Sequence, residues 1–236
     1  MEGLGASGDA RIGLNSERVG VSSRNACLST LIPGLPTLLF IFLVASTAAA
    51  QTLTVEETEN FVRSVHFEGM PEEPTTRIGP AGAARLVAML AEPAEGPSHG
   101  RIMLALALCG SPDAMAAILA WSDAPRDGEI DRDTFRAWQA LPFALGHLAR
   151  FDRRALRHLE TLMVEGPPDW TFRQHRGARL QRLARTSVLV SLAATGLPEA
   201  GRVLDRAGGG QSDAEFAQQL REARALHAKR VRERAR

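Results

Sequence analysis

The sequence predicts an all-α fold, a short stack of antiparallel helical hairpins behind an N-terminal export signal. Three observations predict it. Ala and Leu supply most of the apolar residues, and both favour helices. Long Val/Ile/Thr-rich runs of period two, which would mark strands, are missing, so no sheet is expected. Breaks rich in Gly and Pro divide the chain into helix-length segments that recur at a nearly constant interval.

The 236 residues suffice for one or two domains with a sizeable core; the chain is 44% apolar, only 5% aromatic and without Tyr. Lys229 is the only Lys, so almost every cation is an Arg. A net charge of +1 argues against a general polyanion binder, and no nucleic-acid partner is expected. The charge is unevenly spread. Residues 51–100 hold three Arg and eight Glu, a balance of −5. Residues 173–236 hold fourteen basic and six acidic residues, a balance of +8.

Residues 1–50 read as a leader and signal peptide. Leu38 to Ala45 is a dense apolar core, and Ser46-Thr47-Ala48-Ala49-Ala50 follows it. A short apolar core ending in small residues is the pattern of a secretory signal, with Arg24 as the preceding charge. Ala48 and Ala50 fit the positions before cleavage, so Gln51 would open a periplasmic or secreted chain. The alternative is a retained anchor in the inner membrane. Pro33, Gly34 and Pro36 interrupt the stretch, and a span needs about 20 mostly apolar residues. Met1 to Ala26 is Gly/Ser-rich, either an overlong start or a disordered extension. Cys27 precedes the core, which leaves Cys109 as the one Cys after cleavage and excludes an intramolecular disulfide. Cys109 lies in an apolar run and reads as a small buried side chain rather than a reactive thiol.

Residues 51–78 read as a short helix and a linker. Thr54-Val55-Glu56-Glu57 is a capping box, so a helix should run to about Phe67; Pro71 and Pro74 then mark a linker. Residues 79–207 form the repeat region. Pro80 suits the first turn of a helix to about Glu92, with Leu86, Val87, Met89 and Leu90 along one stripe. A helix from about Ser98 to Cys109 meets Gly110-Ser111-Pro112, a cap followed by a restart, and the next helix runs from Pro112 to about Trp121. The polar stretch from Ser122 to Asp131 is a loop. A second hairpin follows, about Arg132 to Ala149 and Arg153 to Val164, with Pro142 expected to kink its first helix. A third spans about Phe172 to Ala194 and Pro198 to Ala207. Residues 208–236 are a Gly-rich linker and a basic helix capped by Ser212-Asp213, which could project from the stack.

The turns repeat. Ala114, Ala155 and Ala200 occupy equivalent places after them, separated by 41 and 45 residues, and each is followed by aliphatic residues such as Ile118-Leu119, Leu159 and Val203-Leu204. That interval lies within the roughly 40–47 residues of HEAT and armadillo repeats. A small Ala lets the second helix lie close to its partner, and a single hairpin cannot bury its own apolar face. Over residues 79–207 the chain resembles HEAT repeats, particularly the short bacterial kind with a Gly-polar-Pro-acidic-Ala turn. The middle unit, Arg150-Phe151-Asp152, departs from that pattern. The resemblance implies an α-solenoid that binds another protein on its concave face; it implies no chemistry.

No catalytic or cofactor motif is present. The six His lack zinc spacing, although His147 and His158 sit on facing helices of one hairpin. No nucleophile elbow or phosphate-binding glycine loop occurs. Asp123, Asp127, Glu129, Asp131 and Asp133 make an acidic loop without the Gly and distal Glu of a calcium site, so a solvated loop is expected. The expectation is therefore a scaffold or protein-interaction module with no enzymatic activity, no cofactor, no metal and no small-molecule substrate. The candidate partner site is Arg173, Arg176, Arg179 and Arg182, with Arg153, Arg154 and Arg157 beside them. Arg185 continues the series. A spacing of three drifts about 60° per step, so these cations sweep around a helix. They would suit an acidic protein or, as the alternative, an anionic membrane surface for a membrane-proximal chain. The rival reading is a solvated Arg face paired with Asp and Glu.

Overall fold

Among the described residues ten α-helices follow one another between Val55 and Arg234, and the all-α expectation holds. The computed structural model describes residues 51–167, 170–172, 177–208 and 213–236. The expected signal peptide, Arg173, Arg176, His175 and the Gly209-Gly210 break lie outside the described residues. The described residues fall in one compact unit.

The first helix, α1 (Val55–Arg63), begins at the expected capping box: the Glu57 N–H donates to Thr54 Oγ1 at 3.1 Å and the Thr54 N–H to Glu57 Oε2 at 2.8 Å. It stops at Arg63, four residues before Phe67, because Ser64 turns extended. The expected linker contains a second helix, α2 (Glu72–Thr76). Pro71 and Pro74 do not prevent it, since the first-turn N–H groups of a helix have no intrahelical partner to lose. Thr75 and Ile78 are buried, and Leu53 bridges to Ile78.

Next, α3 (Pro80–Ala91) packs on α1 where Gly82 meets Thr58. A Cβ at Gly82 would lie 2.7 Å from Thr58 Oγ1, so that approach needs glycine. Arg85 pairs with Glu59 and Glu92, and Arg63 with Glu59 and Glu95, which ties α1, α3 and the 3-10 turn Pro93–Ser98 together.

Three helix pairs follow: α4 (His99–Cys109) with α5 (Ala114–Asp123), α6 (Arg132–Leu148) with α7 (Arg154–Glu165), and α8 (Gly177–Thr195) with α9 (Pro198–Ala207). The last helix is α10 (Ala214–Arg234). The first members pack in chain order, α4 on α6, α6 on α8 and α8 on α10. Small residues set these approaches: Gly100 faces Ala137 and Ala140, and Gly146 faces Ser191. The core runs through Ile102, Met103, Leu106, Leu145, Leu148, Val188, Leu189 and Leu192, all nearly inaccessible. Ala114, Ala155 and Ala200 are each fully buried, as close helix packing requires.

Several boundaries move. The fifth helix starts at Ala114 with Asp113 as its cap, not at Pro112. The eighth starts at Gly177, because Phe172 belongs to a strand. Pro142 is buried inside α6, which continues through it to Leu148. The absence of a sheet is also corrected. Glu129–Ile130 (β1) pairs in parallel with Thr171–Phe172 (β2), joining the connectors that follow α5 and α7. Finally, α10 does not project. Phe216, Leu220 and Ala223 are buried, the Arg234 guanidinium donates to the Thr195 carbonyl at 2.8 Å, and the His227 ring bonds the Leu197 carbonyl at 2.9 Å.

Candidate functional site

The expected Arg patch is split. Arg153 caps α7, Arg154 and Arg157 lie in its first turns, and Arg153 faces Glu199 at the start of α9 at 3.3 Å, an ion pair without hydrogen-bond geometry. Arg179 and Arg182 lie at the start of α8, which is fastened to the other end of α7: Gln181 donates to the Val164 carbonyl and Arg185 to that of Met163. From Arg157 to Val164 the axis of α7 advances seven residues, about 10 Å at 1.5 Å per residue. Carboxylates also neutralise them. Arg154 clasps Asp152 at 2.6 Å, and Arg182 faces Glu215 at 3.7 Å across a polar cavity of about 230 Å³ between α8 and α10. The solvated, paired face describes Arg153, Arg154 and Arg182 well.

A larger cleft, about 530 Å³, opens elsewhere. Its walls are Val87, Leu90, Ala91, Pro93, Ala117 and Ala120, from α3, the 3-10 turn and α5, with Trp121 at the inner end. His99, Arg126, Asp131 and Thr134 supply its polar groups. This size and mixture suit a ligand pocket.

Three scattered stretches build the inner end. The Arg126 guanidinium sits 4.5 Å from the Trp121 ring centre and 4.4 Å from that of Trp170. The two indoles meet edge to face at 5.9 Å, so the cation occupies the corner between them. Arg126 Nη2 donates to the Trp121 carbonyl at 2.9 Å, while Nε is shielded from water without a partner. Burial pushes the Arg126 pKa below its ordinary value, and the charge of Asp131 pulls it back. Trp170 is held by its strand: Phe172 packs on Phe135 and Trp138 at 5.8 and 5.6 Å, extending one aromatic cluster from α5 to α6.

Trp121 is fixed from behind. Its Nε1–H donates to His99 Nδ1 at 3.0 Å. His99 therefore carries its proton on Nε2, which donates to the Glu92 carbonyl at 3.1 Å. Burial lowers the His99 pKa, partly opposed by the carbonyls of Glu92 and Met89 and by Glu95, and reinforced by Arg126. Both ring nitrogens are engaged, so neither can exchange a proton with a ligand without breaking a bond. Asp131 is similarly committed: its Oδ1 caps α6 by accepting the Thr134 N–H at 2.7 Å, and that bond lowers its pKa.

No protein-family model, curated protein or solved structure matches this chain. Among the described residues no group of His, Cys, Asp and Glu is arranged to hold a metal ion, and no helix is long and apolar enough to cross a membrane. The acidic loop is solvated as expected, with Asp123, Asp127, Glu129 and Asp131 exposed, and it is also tied into the fold, since Asp131 caps a helix, Glu129 and Ile130 pair with β2, and Arg126 turns inward. Sequence reading missed Trp121, Arg126 and Trp170 as a site. The available signal was scarcity: two of only three Trp flank the two connectors, and an Arg follows the first by five residues.

Proposed function

We propose that this chain is an exported helical-repeat module of the HEAT-like kind that binds a partner protein and performs no chemistry. The observation that carries this reading is the cleft over Trp121. It pairs apolar walls with an immobilised cation, while its histidine and its carboxylate are already spent on internal hydrogen bonds. That is a surface for holding rather than for proton transfer. The chain-order packing of α4, α6, α8 and α10 supports the repeat reading, and the small-residue pattern ending at Ala50 supports export.

Recognition is thereby moved from the Arg series to the cleft. A photocrosslinking residue at Ala120, which is exposed on the cleft wall, should trap the partner in the native envelope. The same residue at Arg179 should trap little. Adducts at Arg179 and none at Ala120 would return the Arg series to first place. Intact mass of the exported product should show Gln51 as its first residue; a product retaining residues 31–50 would favour the membrane-anchored alternative.

A further inference from the structure

From the Trp121 cleft, we infer that the bound group is an apolar moiety ending in a carboxylate, such as the free C-terminus of a polypeptide or a free apolar carboxylic acid. This rests on the binding reading above and names the chemistry that the cleft selects.

The argument starts from Arg126. Arg63, Arg85, Arg154 and Arg206 each face a carboxylate within 3 Å. Among the described residues Arg126 has no such ion pair, although it is half-buried and Asp131 acts on it only through space. A desolvated cation without a counter-ion is costly, and a carboxylate is the group whose geometry its guanidinium fork matches. Of its five N–H donors, one goes to the Trp121 carbonyl and the Nε–H is shielded. Those left on Nη1 are neither buried nor hydrogen-bonded.

The surroundings add selection. Trp121 and Trp170 fix the guanidinium in place, so little motion is lost when an anion arrives. Val87, Leu90, Ala117 and Ala120 line the approach and offer an apolar tail dry surface beside that cation. Asp131 opposes every anion that enters, so an anion needs the burial of an apolar tail to bind. An ion without an apolar part gains too little, and an apolar group without an anion leaves Arg126 uncompensated.

Calorimetric titration tests this with four probes on the chain beginning at Gln51: decanoate, decanol, the peptide acetyl-Ala-Ala-Leu with a free C-terminus, and its C-terminal amide. At least one acid should bind about tenfold or more tightly than its neutral analogue. Which acid binds identifies the source, a free acid or a chain terminus. Arg126→Gln should erase the preference for the acid while leaving the weak binding of the neutral probe. Because Arg126→Gln also loosens the Trp corner, Ala120→Trp provides a second arm: it fills the cleft from an exposed wall, leaves Arg126 in place, and should abolish binding of acid and neutral probes alike. Equal binding of acid and neutral analogue, binding that survives Ala120→Trp, or no binding of either acid at millimolar concentration overturns the inference. Crosslinks at Ala120 with no carboxylate preference would sink this inference alone; their absence would sink the cleft as the binding surface.

Discussion

Trp121→Phe isolates one hydrogen bond. The substitution keeps an aromatic ring at the inner end of the cleft and removes the N–H that His99 Nδ1 accepts at 3.0 Å. His99 is only 8% exposed, so water cannot readily replace the donor. Leaving a buried acceptor unpaired costs about 1–3 kcal/mol, and the smaller ring adds a void. At about pH 8 the imidazole is neutral in both folded and unfolded chains, and the full difference should appear. The sign reverses its trend in acid. His99 in the folded protein titrates below the ordinary 6.5, so its contribution is complete above that pH and fades as pH falls through and below it. In the parent, the Trp121 N–H points at the atom that must be protonated. The Phe variant lacks that opposition and accepts the proton more readily, so it loses less. The gap between the two proteins should narrow from about pH 8 to about pH 5. His147, which burial and Arg150 also hold below its ordinary pKa, tilts both curves alike and cancels in the difference. Urea unfolding followed by far-ultraviolet circular dichroism measures the gap without relying on Trp fluorescence. A gap that stays constant across this range refutes the hydrogen-bond account.

Three further outcomes are expected. Leu145→Ala on α6, where the side chain is 2% exposed, should cost about 2–5 kcal/mol in denaturant unfolding, and a loss below about 1 kcal/mol would contradict its place in the core. Gly110→Ala forces a side chain onto a residue at φ +70° and against the Phe151 ring; the exposed ring can swing aside, so backbone strain of about 1–2 kcal/mol should dominate a lowered melting temperature. Asp131→Ala removes the cap of α6 and should cost about 0.5–2 kcal/mol by thermal unfolding, while raising rather than lowering affinity for any anion in the cleft.

Local signals suffice where the chain's own neighbours decide the structure. The Thr54 capping box, the Gly110 break and the start of α9 at Pro198 each depend on a few adjacent residues. Signals failed where distant partners decide. Nothing near Thr171–Phe172 announces that Glu129–Ile130 will pair with it, so the local pattern predicts helix back to Phe172. Pro71 and Pro74 read as breakers in sequence, but their places at the cap and first turn of α2 cost the helix no hydrogen bond. The site was missed for the same reason. The Arg series is conspicuous because it is contiguous, yet Arg153 and Arg182 meet carboxylates from other helices and Arg154 meets that of the adjoining turn. Trp121 and Trp170 stand 49 residues apart and meet only through the fold.

The two-residue pairing of β1 with β2 gives the cleft a timetable. Trp170 comes from a connector two helices downstream of Trp121, and it packs beside Phe172, which the strand sets against Trp138 of α6. A chain emerging from its amino end can complete α3, α4 and α5 and still lack one wall of the corner. Competence to bind should therefore arise only after residue 172 has joined its neighbour, so that capture of a ligand doubles as a test that the middle of the molecule has been correctly put together.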